Sequence, residues 1–384
     1  MITYCRRCVM PSTKPDLPFD SEGICGACRN FEHRERINWS ERASEFKAIT
    51  DQYRDLTNQR WDCIIPVSGG KDSTAQVLKI LELNLRPLCV TSTTCDLSDL
   101  GRENIENLKG LGVDYIEFTA NPRVRKKLNR IGLETVGDIA WPEHVGIFTV
   151  PVRAAVQFEV PLIVWGENAQ HEYGGPAHSA TEQTLTRRWL EEFGGLLGLR
   201  VADLPGQAGI TPGDLASYQY PSDEELARVG VTGVFLGYFF EWDGLANTLM
   251  AEAYGFKSFQ TAVEGGMLSY ENLDNLQHGI HDYFKFLKYG FGRATDHACM
   301  QVRRGRLSRS QAIEIVRIRD GKFPWTYLGK PLAQILEPLE MTVEEFKAIC
   351  DRFTNKQLFL TDNNGELIRD NNEDLTKINY DNVD

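Results

Sequence analysis

The stretch Val67-Ser-Gly-Gly-Lys-Asp-Ser-Thr74 joins a short apolar run at 61–67 to a helical pattern over 73–81. This arrangement commits the chain to a strand, a tight turn and a helix, with the turn facing a ligand. Gly69 and Gly70 let the backbone bend sharply and approach a ligand with no Cβ in the way. The free amides at the start of the helix, together with its dipole, favour an anion. Lys71 adds a full positive charge, and Ser68, Ser73 and Thr74 add hydroxyl donors. Asp72 suits an anion site only if it holds Mg2+ or orients a donor. The spacing departs from that of the P-loop ATPases, which place four residues between the first glycine and Gly-Lys-[Ser/Thr].

Further apolar runs at 87–91, 115–119, 160–165 and 233–239 alternate with helical stretches such as 103–111. Short apolar strands alternating with helices predict an α/β fold, a parallel sheet covered on both faces. Ligands of such sheets bind beyond the carboxyl ends of the strands, where the loop at 68–74 would sit. The organisation reads as a zinc-binding segment with a linker helix over 1–50, and the sheet domain over 51–240 with an insertion near 174–228. A helical region over 241–360 and a flexible acidic tail over 361–384 complete the chain.

Nine cysteines and no basic-then-apolar leader point to a reducing, cytoplasmic setting rather than to a disulfide framework. Cys5-x-x-Cys8 and Cys25-x-x-Cys28 form two pairs that can place four thiolates around one tetrahedral zinc. All four positions are then filled by protein, so the Zn2+ is structural and folds a segment too small for a core of its own. With 54 acidic and 42 basic side chains the formal net charge is −12, which argues against a nucleic-acid partner. No run of apolar residues is long enough for a membrane span.

A second polar constellation lies in the helical region. The spacing predicts one amphipathic helix over 271–288, with Leu273, Leu276, Ile280, Phe284 and Leu287 facing the core. His278, His281, Lys285 and Lys288 stack on another face, and Tyr289-Gly-Phe-Gly-Arg-Ala-Thr-Asp296 follows. A cationic stripe leading into a Gly-rich turn with Arg293 suits a polyanion or a sugar carboxylate. If this turn reaches the loop at 68–74, Lys288 and Arg293 contact phosphates or an acidic sugar group, and Asp296 holds Mg2+ or orients a donor. A basic cluster at 122–127 reads as solvent-facing.

The heptad from Ser68 to Thr74 resembles the loop of the N-type ATP pyrophosphatases, which split ATP between its α and β phosphates. That resemblance implies a five-stranded parallel sheet of the adenine-nucleotide α-hydrolase type. It also implies an ATP site that includes Thr91 near the adenine and Gly166, Glu167 and Asn168 after the fourth strand, with Glu172 as a weaker candidate metal ligand. Taken with Cys-Arg-Arg-Cys-Val-Met-Pro, Gly-Ile-Cys-Gly-Ala-Cys, Trp165-Gly-Glu-Asn168, Glu172-Tyr-Gly-Gly175 and Lys288-Tyr-Gly-Phe-Gly-Arg-Ala-Thr-Asp296, the chain resembles the N-acetyl sugar amidotransferases over roughly 1–350. Those enzymes serve bacterial surface-glycan biosynthesis.

The resemblance implies an ATP-dependent conversion of a sugar acetamido group to an acetamidino group, with Lys71, Asp72, Lys288, Arg293 and Asp296 as the catalytic candidates. Position 2 is Ile and no Gly-x-Cys-x-Gly loop occurs, so neither common type of glutaminase is present. The family relatives imply a separate glutaminase partner as the ammonia source. Two other readings remain open at this point. A tRNA thiolase can also combine a four-cysteine zinc site with this loop, and a nucleotide-binding module would use the loop without catalysis.

Overall fold

The computed structural model describes residues 2–34, 36–55, 60–167, 174 and 196–378. Asn168, Glu172 and residues 175–195 of the expected insertion lie outside these, as do residues 379–384.

Two helices, α1 (Gly26–Arg34) and α2 (Trp39–Tyr53), follow the cysteine segment. The charged pattern over 32–56 predicts a single helix there. Asn38 divides it, accepting a hydrogen bond from Glu41 N and so capping a fresh N-terminus. The sheet then forms from β1 (Cys63–Pro66), β2 (Pro87–Ser92), β3 (Asp114–Phe118), β4 (Leu162–Trp165) and β5 (Thr232–Phe235). Between them run α3 (Lys71–Glu82), α4 (Asp99–Lys109), α5 (Pro122–Val136), α6 (Trp141–Phe158) and α7 (Asp223–Val229). All four pairings are parallel and the spatial order is β3-β2-β1-β4-β5. β1, β2 and β4 are almost wholly buried, as a sheet covered on both faces requires. The apolar run at 233–239 is only half strand, because the short helix α8 (Leu236–Phe239) begins directly after β5.

The chain moves outward from β1 through β2 to β3, then returns to place β4 on the other side of β1. This reversal opens a crevice beyond the carboxyl ends of β1 and β4, the usual ligand position in open α/β sheets. In the region expected as an insertion, the described part holds a series of 3-10 turns at Val201–Asp203, Gln207–Gly209 and Gly213–Tyr218, followed by most of α7. The turns pack Leu204, Ile210, Leu215 and Tyr218 against α5 and α6. Arg125, expected in solvent, is buried there and donates to Tyr218 Oη and to the carbonyl of Thr93.

The remaining helices are α9 (Gly244–Ala253), α10 (His278–Tyr289), α11 (Arg293–Arg303), α12 (Arg309–Arg319), α13 (Leu332–Leu336) and α14 (Val343–Phe353). The helix expected over 271–288 begins only at His278. Its five core residues are nonetheless all buried, Leu273 and Leu276 from the preceding turns and the rest from α10. The tail departs from the expected flexible segment over its described part. Residues 361–378 fold back through bridges between Phe359 and Lys377, Thr361 and Leu367, and Arg369 and Leu375, and Leu375 enters the core of the helical region. Among the described residues no helix is long and apolar enough to cross a membrane.

Candidate active site

A cavity of about 400 Å3 occupies the crevice beyond β1 and β4. Its floor is the loop from Val67 to Ser73. Gly69 has φ +82, and a Cβ there would stand 2.7 Å from Ile105 Cγ1 and 2.9 Å from the backbone nitrogen of Ile105. Only glycine lets this turn lie flat on α4. Gly70 caps α3 with no side-chain acceptor, so the first-turn amides of α3 are left for a ligand. Ser73 lines the cavity and Thr74 does not, and neither hydroxyl is turned to a ligand as expected. Both hydroxyls donate to the Gly70 carbonyl at 3.0 Å and so lock the turn, and Thr74 is fully buried. Ser68 Oγ accepts from Gly70 N at 3.3 Å.

Lys71 is 3% exposed and its ammonium sits between two carboxylates, Asp72 and Glu271, the latter at 2.8 Å. Burial alone would push the lysine pKa down, but the two carboxylates outweigh it and hold the ammonium well above its ordinary value. Asp72 Oδ1 accepts from Asn247 Nδ2 at 2.8 Å, which ties the loop to α9. Gly244 opens α9 against the Lys71 side chain, where a Cβ would lie 3.5 Å from Lys71 Cε. A narrower extension continues past Lys71 and Glu167 to Asp243, Gln301, Arg304 and Arg306, bringing two further cations to the far side of the loop.

The cavity is closed by Tyr270, Glu271, Asn272, Leu273 and Asp274, which precede α10. This segment is sewn to the loop after β2. Ser98 N donates to Asp274 O at 3.0 Å, Leu276 N donates to Asp96 O at 3.0 Å, and the Ser98 hydroxyl donates to Leu273 O. Burial raises the Asp274 carboxyl to a pKa of about 6, close to the range where a general base works at neutral pH. Glu271, Asn247 and Asp274 escape sequence reading because each is remote from the loop along the chain, and 271–274 looks like the first turn of a helix.

Thr91 lines the cavity, but its hydroxyl donates to Val67 O at 2.5 Å and meets Tyr115 Oη, so it ties β2 to β3 and to the segment that follows β1. The hydroxyls of Ser92 and Thr94 are buried without a partner among the described residues, and both residues line the cavity. Orphaned buried hydroxyls at a cavity wall are the groups that a bound ligand would satisfy. Gly166 and Glu167 line the opposite wall, and Asn168 falls outside the described residues.

The segment from Lys288 to Asp296 is not brought to this cavity. Lys288 Nζ donates to the carbonyl of Val136 at 2.8 Å. Arg293 grips Asp282 through bonds of 2.7 and 3.1 Å. Asp296 is 2% exposed and pairs with Lys285, with Arg293 at 4.0 Å. The anion position at the start of α11 is already filled from within the chain. Asp320 accepts from Gly292 N at 2.8 Å, from Thr295 N at 3.2 Å and from the Thr295 hydroxyl at 2.5 Å. The Gly-rich turn is thus a capped junction between α10 and α11. The helical region reaches the loop by other residues, Glu271, Gln301, Arg304 and Arg306.

The four cysteines Cys5, Cys8, Cys25 and Cys28 converge in a second place, each fully buried. Cys5 Sγ lies 4.0 Å from Cys28 Sγ, and Cys8 Sγ lies 3.7 Å from Cys25 Sγ. Zinc–thiolate bonds of about 2.3 Å in a tetrahedron put the sulfurs about 3.8 Å apart, so the set fits zinc. Cys25 N donates to Cys5 Sγ at 3.2 Å, and Arg309 Nε donates to the carbonyls of Cys5 and Cys8. The segment shares a core with α11 and α12 through Ala298, Cys299, Ala312, Ile313 and Val316. The four-cysteine cluster therefore packs against α11, which carries Gln301 and is followed directly by Arg304.

Residues 255–371 match a family model described as the C-terminal domain of WbpG-like LPS biosynthesis proteins. The match spans the closing segment with Glu271 and Asp274 and the helices from α10 to α14. No curated protein matches the chain.

Proposed function

We propose that this protein is an ATP-dependent amidotransferase of lipopolysaccharide or related surface-glycan biosynthesis, converting a sugar acetamido group to an acetamidino group. The observation that carries this reading is the cavity in which the anion-binding loop of the sheet domain faces Glu271 and Asp274. Those two residues come from the segment that resembles an LPS biosynthesis domain. The volume falls within the range of small-ligand sites.

In this reading the first-turn amides of α3 and the Lys71 ammonium hold the leaving pyrophosphate of ATP. Asp72, Glu167 and Glu271 on the cavity wall would hold Mg2+ through carboxylate oxygens, the donor type that ion takes, and it would neutralise charge on the phosphates. The amide oxygen of the sugar attacks the α phosphorus and pyrophosphate departs, leaving an O-adenylated imidate. The cationic loop stabilises the charge that develops on the leaving group. Ammonia from a separate glutaminase then adds to the imidate carbon and loses a proton. AMP leaves with the former carbonyl oxygen. Asp274, which lines the cavity and whose carboxyl burial raises to about 6, takes that proton in this reading.

A tRNA thiolase would need a reactive thiol beside the nucleotide. Among the described residues no cysteine lines the cavity, and burial pushes the thiol of Cys95, next to Thr94, up to about 12.

The reading is tested by incubating the protein with ATP, ammonium and a panel of acetamido sugars across a pH series. The expected products are AMP, pyrophosphate and a sugar lighter by the difference between an oxygen and an NH group. Turnover should rise as pH passes through about 6, as the Asp274 carboxyl ionises, and Asp274→Asn should remove that limb. ATP consumption to AMP that ignores every sugar would count against the proposal.

A further inference from the structure

Asp138 lies in the turn between α5 and α6, and its side chain is 3% exposed. Two imidazoles from different elements converge on it. His281 Nδ1, from α10, is 2.8 Å from Oδ1, and His144 Nδ1, from α6, is 3.1 Å from Oδ2. One ligand atom from each of the three residues lies within 4.8 Å of the others. The two rings meet edge to face with centroids 5.2 Å apart. A buried carboxylate needs a countercharge, and an imidazole supplies one only while protonated. The nearest lysine on α10, Lys288, turns its ammonium to the Val136 carbonyl instead.

We propose that Asp138, His144 and His281 form a binding site for a divalent transition-metal ion such as Zn2+ or Co2+, separate from the four-cysteine site. Two imidazoles and one carboxylate select a borderline ion over Mg2+ or Ca2+. Each imidazole would give its Nδ1 lone pair and keep its proton on Nε2, and the ion would stand between the two Nδ1 atoms and the carboxylate. Metal–ligand bonds of about 2.0–2.1 Å in a tetrahedron put the ligand atoms about 3.3 Å apart, near the 2.8 and 3.1 Å between the carboxylate oxygens and the two Nδ1 atoms. The side chains of His144 and His281 are 23% and 22% exposed, which leaves the outer side of the site for water. The ion would join α10 of the helical region to the α5–α6 turn of the sheet domain. His144 stands one turn from Ile147 and Phe148 on α6, and both of these line the cavity. The site thus braces a wall of the candidate active site.

The test uses the full-length chain without a histidine tag, dialysed to equilibrium against Co2+ or Zn2+ and assayed for bound metal. Thiolate-to-cobalt charge transfer reports the four-cysteine site alone, while a nitrogen–oxygen site adds only d–d absorption. The wild-type chain should hold a second equivalent beyond the four-cysteine one. His281→Ala and His144→Ala should each lose that second equivalent and keep the charge-transfer band. His144 is partly exposed and carries the test if the His281 variant does not fold. A wild-type chain that binds no second equivalent, or variants that retain it, would overturn the proposal.

Discussion

Replacing Lys71 by methionine is expected to cut amide-dependent ATP cleavage by about a hundredfold or more, some 3 kcal/mol of transition-state stabilisation, the scale seen when a charged donor to a developing anion is removed. The side chain has no other ligand-facing role that could mask the effect, because it is buried at the floor of the cavity between Asp72 and Glu271. The substitution also leaves two carboxylates without their shared cation, so the melting temperature should fall as well. Glu271→Gln in the same chain removes one of those charges. The double variant is therefore expected to recover much of the stability and none of the turnover. Recovery of turnover along with stability would mean that Lys71 only supports the fold.

Cys25→Ser is expected to strip the bound zinc and to destabilise the chain more than the loss of Lys71 does. Structural zinc contributes about 10–16 kcal/mol of apparent binding free energy in isolated zinc-finger peptides, and the fully buried four-sulfur cluster has the geometry for it. The loss should spread beyond the N-terminal segment. Met10, Leu17 and Ala27 share one core with Ala298, Ala312 and Val316 on α11 and α12. Loosening those helices moves Gln301 and Arg304 at the cavity extension, so turnover should fall too. Metal analysis and thermal unfolding of the purified variant check this. Full zinc content with unchanged unfolding would contradict it.

What is legible in the sequence is whatever depends on neighbours along the chain. Apolar runs bounded by polar turns locate the strands, because a sheet covered on both faces needs continuous apolar strands. The loop at 68–74 and the paired cysteines are similarly local, and the four sulfurs do meet. The hydroxyls of Ser73 and Thr74 defeat the same reasoning, because a side chain beside a glycine turn can satisfy the turn's own carbonyl as readily as a ligand.

The residues that complete the site are hidden for a different reason. Glu271 meets Lys71, and Asn247 meets Asp72, across long separations in sequence that no periodicity encodes. The opposite error arises at the turn carrying Arg293. Its glycines and cations have the composition of an anion site, but Asp320 comes from the end of α12 and fills that place. Arg293 and Lys285 are likewise neutralised by Asp282 and Asp296, so the charge that makes the segment look catalytic is satisfied within the fold. Composition identifies a cation, and only the tertiary structure identifies its partner.

In the proposed reaction, the cavity above the loop at 68–74 joins AMP to the oxygen of a sugar amide. The most direct measurement supplies an acetamido sugar carrying heavy oxygen in its amide carbonyl, together with ATP and ammonium, and follows the label by mass spectrometry. The heavy oxygen is expected in the phosphate of AMP, with pyrophosphate unlabelled and none in the acetamidino product. Formation of ADP, label in pyrophosphate, or unlabelled AMP formed alongside the amidine would contradict the proposed reaction.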